Sequence, residues 1–144
     1  MREILFRART ISEDEYMDSG EWVEGFYTCF NGDEYRIYTG YSETDCGEHY
    51  PDWFNVLPET VGQFTGLTDK NGKKIFEGDI VQYYGTYPLE VYIEKGHTKI
   101  RWYDTISASK YDELFFSIDR EGYGECEIIG NIYDNPELLK GGEV

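Results

Sequence analysis

The sequence is that of a mainly β protein, and three features carry that expectation. Aromatic side chains abound, with 14 Tyr, 8 Phe and 3 Trp in 144 residues, whereas alanine stands only at Ala8 and Ala108. Such rings suit a pleated, half-buried surface, and a chain nearly devoid of the strongest helix former makes a poor helical bundle. Asn31-Gly32 and Asn71-Gly72 each sit between β-rich runs, the strongest short-range hairpin signal. Short apolar runs with turn residues between them recur through the C-terminal part, as in a compact antiparallel barrel or sandwich.

Each element has its own local reason. Residues 2–9 alternate, with Ile4, Phe6 and Ala8 on one face and Leu5, Arg7 and Arg9 on the other, which predicts an opening strand with one wet face. A polar, acidic segment (12–21) precedes the β-forming run 22–30, and Asn31-Gly32 turns it into a partner over 34–41. The stretch 42–58, with Gly47, Pro51 and Pro58, reads as a loop holding a short extended piece around Trp53 and Phe54. A strand over 60–67 turns at Asn71-Gly72, and Gly78-Asp79 leads into a strand over 80–84. Lys95-Gly96 joins 89–94 to 97–103 as a further hairpin, and strands over 114–118 and 126–133 flank a glycine-containing loop (119–125). Asn135 as cap, Pro136 at the first position, Glu137 at the positive end and Gly141 as stop predict a short C-terminal helix docked by Leu138 and Leu139.

Charge narrows the function. The chain carries 29 Asp and Glu against 13 Lys and Arg, a net −16, and its first 60 residues hold 14 acids against 4 bases. Nucleic-acid affinity comes from bases that displace condensed counterions, so direct DNA or RNA binding is not expected. Nor is a membrane span expected, since no stretch approaches 18 uncharged apolar residues. Cys29, Cys46 and Cys126 are odd in number, widely spaced and preceded by no secretory pattern, which points to free thiols in a reducing cytoplasm. Length allows one core with a satellite lobe. We expect an acidic β-rich lobe over 1–59 and a barrel with its helix over 60–144, the opening strand 2–9 being a candidate partner of that barrel.

Three blocks resemble YopX-like phage and prophage proteins and span almost the whole chain. They are the opening Met1-Arg2-Glu3-Ile4-Leu5-Phe6-Arg7-Ala8, the central residues 61–81 around Thr65-Gly66-Leu67-Thr68-Asp69-Lys70-Asn71-Gly72, and the closing residues 127–139 with Gly130-Asn131 and Asn135-Pro136. The resemblance implies a phage-encoded, mainly β protein whose C-terminal part is a small SH3-like barrel and whose N-terminal lobe varies among members. It implies no activity. The chain departs from the family pattern after the opening Arg-Ala, where Arg9-Thr10 replaces a frequent Trp.

Chemistry-bearing constellations are sparse. Cys46 and His49 have the spacing of half a zinc site and would need Cys29 and Cys126 beside them. Carboxylate pairs such as Asp14 with Glu15, or Glu125 with Glu127, suit general acid–base work, yet chance alone supplies such pairs among 29 acids. No phosphate-binding glycine loop occurs, and Gly122-Tyr123-Gly124 is a turn signal. Neither an enzyme nor a cofactor site is therefore expected. Gly66, Asp69, Asn71, Gly72, Gly78, Asp79, Gly130, Asn131, Asn135 and Pro136 read as structural positions, because glycine and Asx residues are the usual turn formers. Trp22, Trp53 and Trp102 are the candidate partner surface, in the manner of aromatics that grip extended peptides. The leading expectation is a protein-binding module with an unidentified partner, self-association through a strand edge being secondary. The alternative is a nucleic-acid mimic, built on Glu13, Asp14, Glu15 and Asp18, that blocks a host DNA- or RNA-processing enzyme.

Overall fold

The computed structural model describes residues 3–11, 20–83, 87–104, 109–114 and 126–139. It divides into two compact units, Met1–Phe64 and Thr65–Val144. Among the described residues no helix is long and apolar enough to cross a membrane.

Unit 1 is an antiparallel sheet of β1 (Phe6–Arg9), β2 (Trp22–Phe30), β3 (Glu34–Glu43) and β4 (His49–Asn55), joined through a 3-10 turn (Pro58–Thr60) to the start of β5 (Gly62–Thr68). The strand order is β4-β3-β2-β1-β5. Asn31 and Gly32 both adopt positive φ, 53° and 81°, in the β2–β3 turn that their residue types predict. The run 49–55, expected as mostly loop, is a full strand: Tyr38 pairs with Trp53 and Ile37 with Phe54, and Pro51 is tolerated because β4 lies at the sheet edge. A side chain at Gly25 would run into the Tyr38 carbonyl, so glycine is what lets β2 cross β3 so closely. At the other end Thr10 bridges Val56, and Leu57 donates to the Arg9 carbonyl (2.9 Å), which ties the end of β1 to the end of β4. Ala8, Ile37 and Val56 are thereby fully enclosed, with Phe6, Val23, Tyr27, Tyr35 and Phe54 packed around them. The Thr60 hydroxyl fixes the chain reversal by accepting from the Arg9 amide (2.9 Å) and donating to the Leu57 carbonyl (2.7 Å).

Unit 2 begins within β5, whose continuation pairs with β6 (Lys74–Phe76). Its main sheet comprises β7 (Asp79–Gln82), β8 (Leu89–Glu94), β9 (His97–Asp104), β10 (Ser109–Leu114) and β11 (Glu127–Asn131), in the order β10-β9-β8-β7-β11. Ile75, Val81, Tyr83, Leu89, Val91, Ile100 and Cys126 form its buried core. Lys95 and Gly96, at φ 50° and 78°, make the two-residue hairpin turn between β8 and β9.

Three expectations need correction here. Among the described strands β10 and β11 are the sheet's two edges and no ladder joins them, so the five strands form an open sheet rather than a closed barrel. Only Leu114 of the strand expected over 114–118 lies within the described residues, and a strand missed in the sequence runs over Ser109–Leu114, paired with β9. Its Lys, Asp and Glu disguise it in the sequence, yet such residues suit an edge strand by discouraging further pairing. Among the described residues the expected C-terminal helix is one 3-10 turn, Pro136–Leu139. The Asn135 side-chain oxygen accepts from the Asn131 amide (3.4 Å). Leu138 and Leu139 are half-buried.

Candidate functional site

Strand register sorts the side chains of unit 1 onto two faces, since successive residues of a strand point to opposite sides. The residues of the buried cluster share one face. Their alternates share the other: Arg7 and Arg9 on β1, Trp22, Glu24, Phe26, Thr28 and Phe30 on β2, Glu34, Arg36 and Tyr38 on β3, and Trp53 on β4. A register shift between Tyr38 and Gly40 keeps Tyr41, opposite Pro51, on this outer face.

The outer face is rich in rings that remain in water. Phe26 is 68% exposed, Phe30 51%, Tyr41 78% and Trp53 40%. Three arginines lie among them. Arg7 and Arg9 hold their guanidinium carbons 4.8 and 5.3 Å from the Trp22 ring centre. Arg36 lies 4.0 Å over Trp53 and 5.3 Å from Phe30, and donates to Glu34 at 2.8 Å. Each such stacking contributes on the order of 0.5–1 kcal/mol at an exposed site, so they order the rings more than they stabilise the unit. A cleft of about 350 Å³ opens in the same unit, lined by Ile11, Asp33, Glu34, Tyr35, Asn55, Val56 and Pro58. Its charged lining residues are both carboxylates. On the core face Tyr27 stacks on Tyr35 (6.3 Å, 6°), and burial, with Cys29 and Tyr35 beside it, raises the Tyr27 phenol above its usual pKa. That phenol stays protonated at neutral pH.

The three tryptophans have different surroundings. Trp22 and Trp53 share the outer face of unit 1, whereas Trp102 in unit 2 packs against the core around Ile100 and Val91. Phe26, Phe30 and Tyr41 belong with the first two and were not singled out by sequence. The signal available was the alternation Trp22, Glu24, Phe26, Thr28, Phe30, which puts apolar residues on both sides of one strand.

The signature residues of the central and closing blocks lie in unit 2 and bind its own backbone. Asp69, 6% exposed, accepts from the Asn71 and Lys73 amides through Oδ1 (2.9 Å each) and from Ile128 through Oδ2 (3.1 Å). Burial works against its charge, but these donors, with Lys73 nearby, outweigh that penalty and hold the carboxyl below its usual pKa. Asp79 is 1% exposed and accepts from the Phe76 amide (2.8 Å) across the Glu77-Gly78 turn. Gly66, Gly72 and Gly78 adopt φ of 86°, 79° and 92°. Asn131 Oδ1 accepts from the Tyr133 and Asp134 amides (3.0 and 2.8 Å), its Nδ2 donates to Asp134, and Pro136 opens the final turn.

Candidate reactive groups do not converge among the described residues. No group of three or more His, Cys, Asp or Glu has metal-holding geometry there. Cys29 and Cys46 are exposed, and Cys126 is packed in the apolar core of unit 2. Glu127 faces Lys70 at 3.2 Å. Glu13, Asp14, Glu15, Asp18, Gly122, Tyr123, Gly124, Glu125 and Gly141 lie outside the described residues.

Comparison with known proteins extends these observations. A family model described as YopX protein matches residues 6–140. The chain is also similar to the crystal structure of protein EF1440 from Enterococcus faecalis, at 26% identity and a TM-score of 0.61, over 96% of this chain and 99% of that one. No curated protein gives a significant match.

Proposed function

Because the chain belongs to the YopX family, and because one sheet face of unit 1 holds ordered rings in water, we propose a non-enzymatic protein-binding function for it. In this reading it is an accessory protein encoded by a phage or prophage and acts in the host cytoplasm. The observation that carries the proposal is the exposure of Phe26, Phe30, Tyr41 and Trp53 on a single face. Exposed rings clustered on one surface mark interaction sites, and aromatic residues anchor the centres of protein interfaces. We read unit 2 as an open SH3-like barrel serving as scaffold. The meander β7-β8-β9-β10, with β11 returning beside β7, supports that reading.

A photo-crosslinking residue in place of Phe26 tests the function in cells that carry the phage or prophage. A discrete protein adduct is expected at Phe26 and absent from the same probe at Glu94, an exposed position of unit 2. Equal labelling at both positions, or none at Phe26, would refute the proposal. Strand-edge self-association is the weaker form of it, since β4 presents Pro51 and Asp52 along its edge and such residues discourage pairing.

A further inference from the structure

We infer that the occupant of the outer face of unit 1 is an arginine-rich, basic segment of a partner protein. This rests on the protein-binding reading above and names the chemistry of the partner. Three observations converge on it.

The face already binds guanidinium groups. Arg36 lies over Trp53 at 4.0 Å and near Phe30 at 5.3 Å, with Glu34 accepting its hydrogen bond. A planar cation stacked on a ring and closed by a carboxylate is the arrangement a partner's arginine would repeat. Phe26 and Tyr41, the most exposed rings of the face, offer it again: Glu24 lies two residues from Phe26 and Glu43 two from Tyr41, each on the same face.

The surroundings are acidic. On the face itself Glu24, Glu34 and Glu43 stand beside Arg7, Arg9 and Arg36, whose guanidinium groups lie over rings, while the described residues of unit 1 as a whole hold ten carboxylates against three arginines. The nearby cleft adds Asp33 and Glu34 in a concavity of side-chain size. Electrostatic complementarity of this kind steers a basic partner inward and repels wrong ones.

The same charge argues against other occupants. A second copy would bring a whole chain of net charge −16 toward a unit that is itself acidic, and a single-stranded nucleic acid would meet aromatic stacking without the basic groove that tracks its backbone.

The test uses the full chain, titrated by fluorescence anisotropy with labelled oligo-arginine, oligo-lysine of equal length and a single-stranded oligonucleotide. Oligo-arginine is expected to bind severalfold tighter than oligo-lysine and to weaken with salt. Phe26→Ala with Tyr41→Ala should weaken oligo-arginine binding about tenfold, the loss of two cation–π contacts. Neutralising Glu94 and Glu137, which belong to unit 2 and not to this face, should change it less than about twofold, as expected for two screened surface charges among many. Both aromatic sites are exposed, and an unchanged circular dichroism spectrum confirms that the variant folds. Wild-type affinity in the aromatic variant would reduce the effect to net charge and overturn the inference. So would tighter binding of the oligonucleotide, or self-association abolished by the same variant. An adduct at Phe26 whose partner lacks a basic segment would refute this inference alone, whereas the absence of any adduct would refute the function itself.

Discussion

Replacing Asp69 probes a buried polar constraint of unit 2. Its carboxylate accepts three backbone N–H groups, two from the β5–β6 turn at 2.9 Å and one from Ile128 on β11 at 3.1 Å. The side chain thus joins segments 59 residues apart in sequence. A hydrogen bond to a charged acceptor contributes about 1.5–3 kcal/mol, and a buried donor left unpaired costs on the order of 1–3 kcal/mol. Water entering the vacated site offsets part of this, so Asp69→Ala should destabilise by about 3–5 kcal/mol. Asp69→Asn keeps the acceptor for the turn but turns an amide donor toward the Ile128 N–H, and should cost about 1.5–3 kcal/mol. The pH dependence follows from the sign of the shift. The folded-state pKa lies below the ordinary value of 3.8, so the carboxylate's contribution is fully present above that pH and is lost as pH falls through the folded value. Urea unfolding of wild type and Asp69→Asn across pH should therefore show a constant gap down to about pH 3.8 and a shrinking one below it. A gap under about 0.5 kcal/mol at neutral pH, the level of an ordinary surface change, would refute the argument. So would a gap that persisted undiminished in acid.

Other substitutions address the close approaches around the closing block. Gly78→Ala places a methyl 3.1 Å from the Tyr133 ring at a φ of 92°. It should lower stability by about 1–3 kcal/mol in urea unfolding. Gly130→Ala puts its methyl 2.5 Å from Asn135 Oδ1, so Asn135→Ala in the same chain should recover part of the loss. A double-mutant cycle measures that coupling, expected at about 1 kcal/mol. Thiol labelling should find Cys29 and Cys46 reactive in the native protein and Cys126, 5% exposed, reactive only on unfolding.

How far the sequence discloses this architecture depends on how local each determinant is. The turns at Asn31-Gly32 and Lys95-Gly96 were legible because the residues that need positive φ sit within the turn itself. The C-terminal turn has the local helix signals, but the contact that its first asparagine makes is not local: the missing side chain of Gly130 leaves room for the Asn135 side-chain oxygen to accept from the Asn131 amide. The polar strand Ser109–Leu114 was hidden because an edge position, which only the assembled sheet defines, is what makes its composition acceptable. The candidate site was legible in part for the same reason. Trp22 and Trp53 stand out by residue type, but Phe26 looks no different from Tyr27 until the crossing at Gly25 and the bridge from Thr10 to Val56 decide which face closes over Ala8.

That decision divides the rings of unit 1 into two sets with different physical consequences. Phe6, Tyr27, Tyr35 and Phe54 pack around a fully enclosed core of only three small or medium side chains, so their ring contacts supply much of the burial that holds the sheet together. Removing any one of them strips packing from that core and should cost about 1–3 kcal/mol, less than for a fully enclosed ring because each is only partly buried. Phe26 and Tyr41, at 68% and 78% exposed, bury little, and their removal should change stability by less than about 0.5 kcal/mol. Rings that the fold does not need would ordinarily promote aggregation, and the net charge of −16 opposes that by keeping copies apart. The same charge leaves the face open to a partner of opposite sign. In the proposed docking, solubility and selectivity are two consequences of one distribution: the acids that prevent like surfaces from meeting are also the ones that would draw in a basic segment.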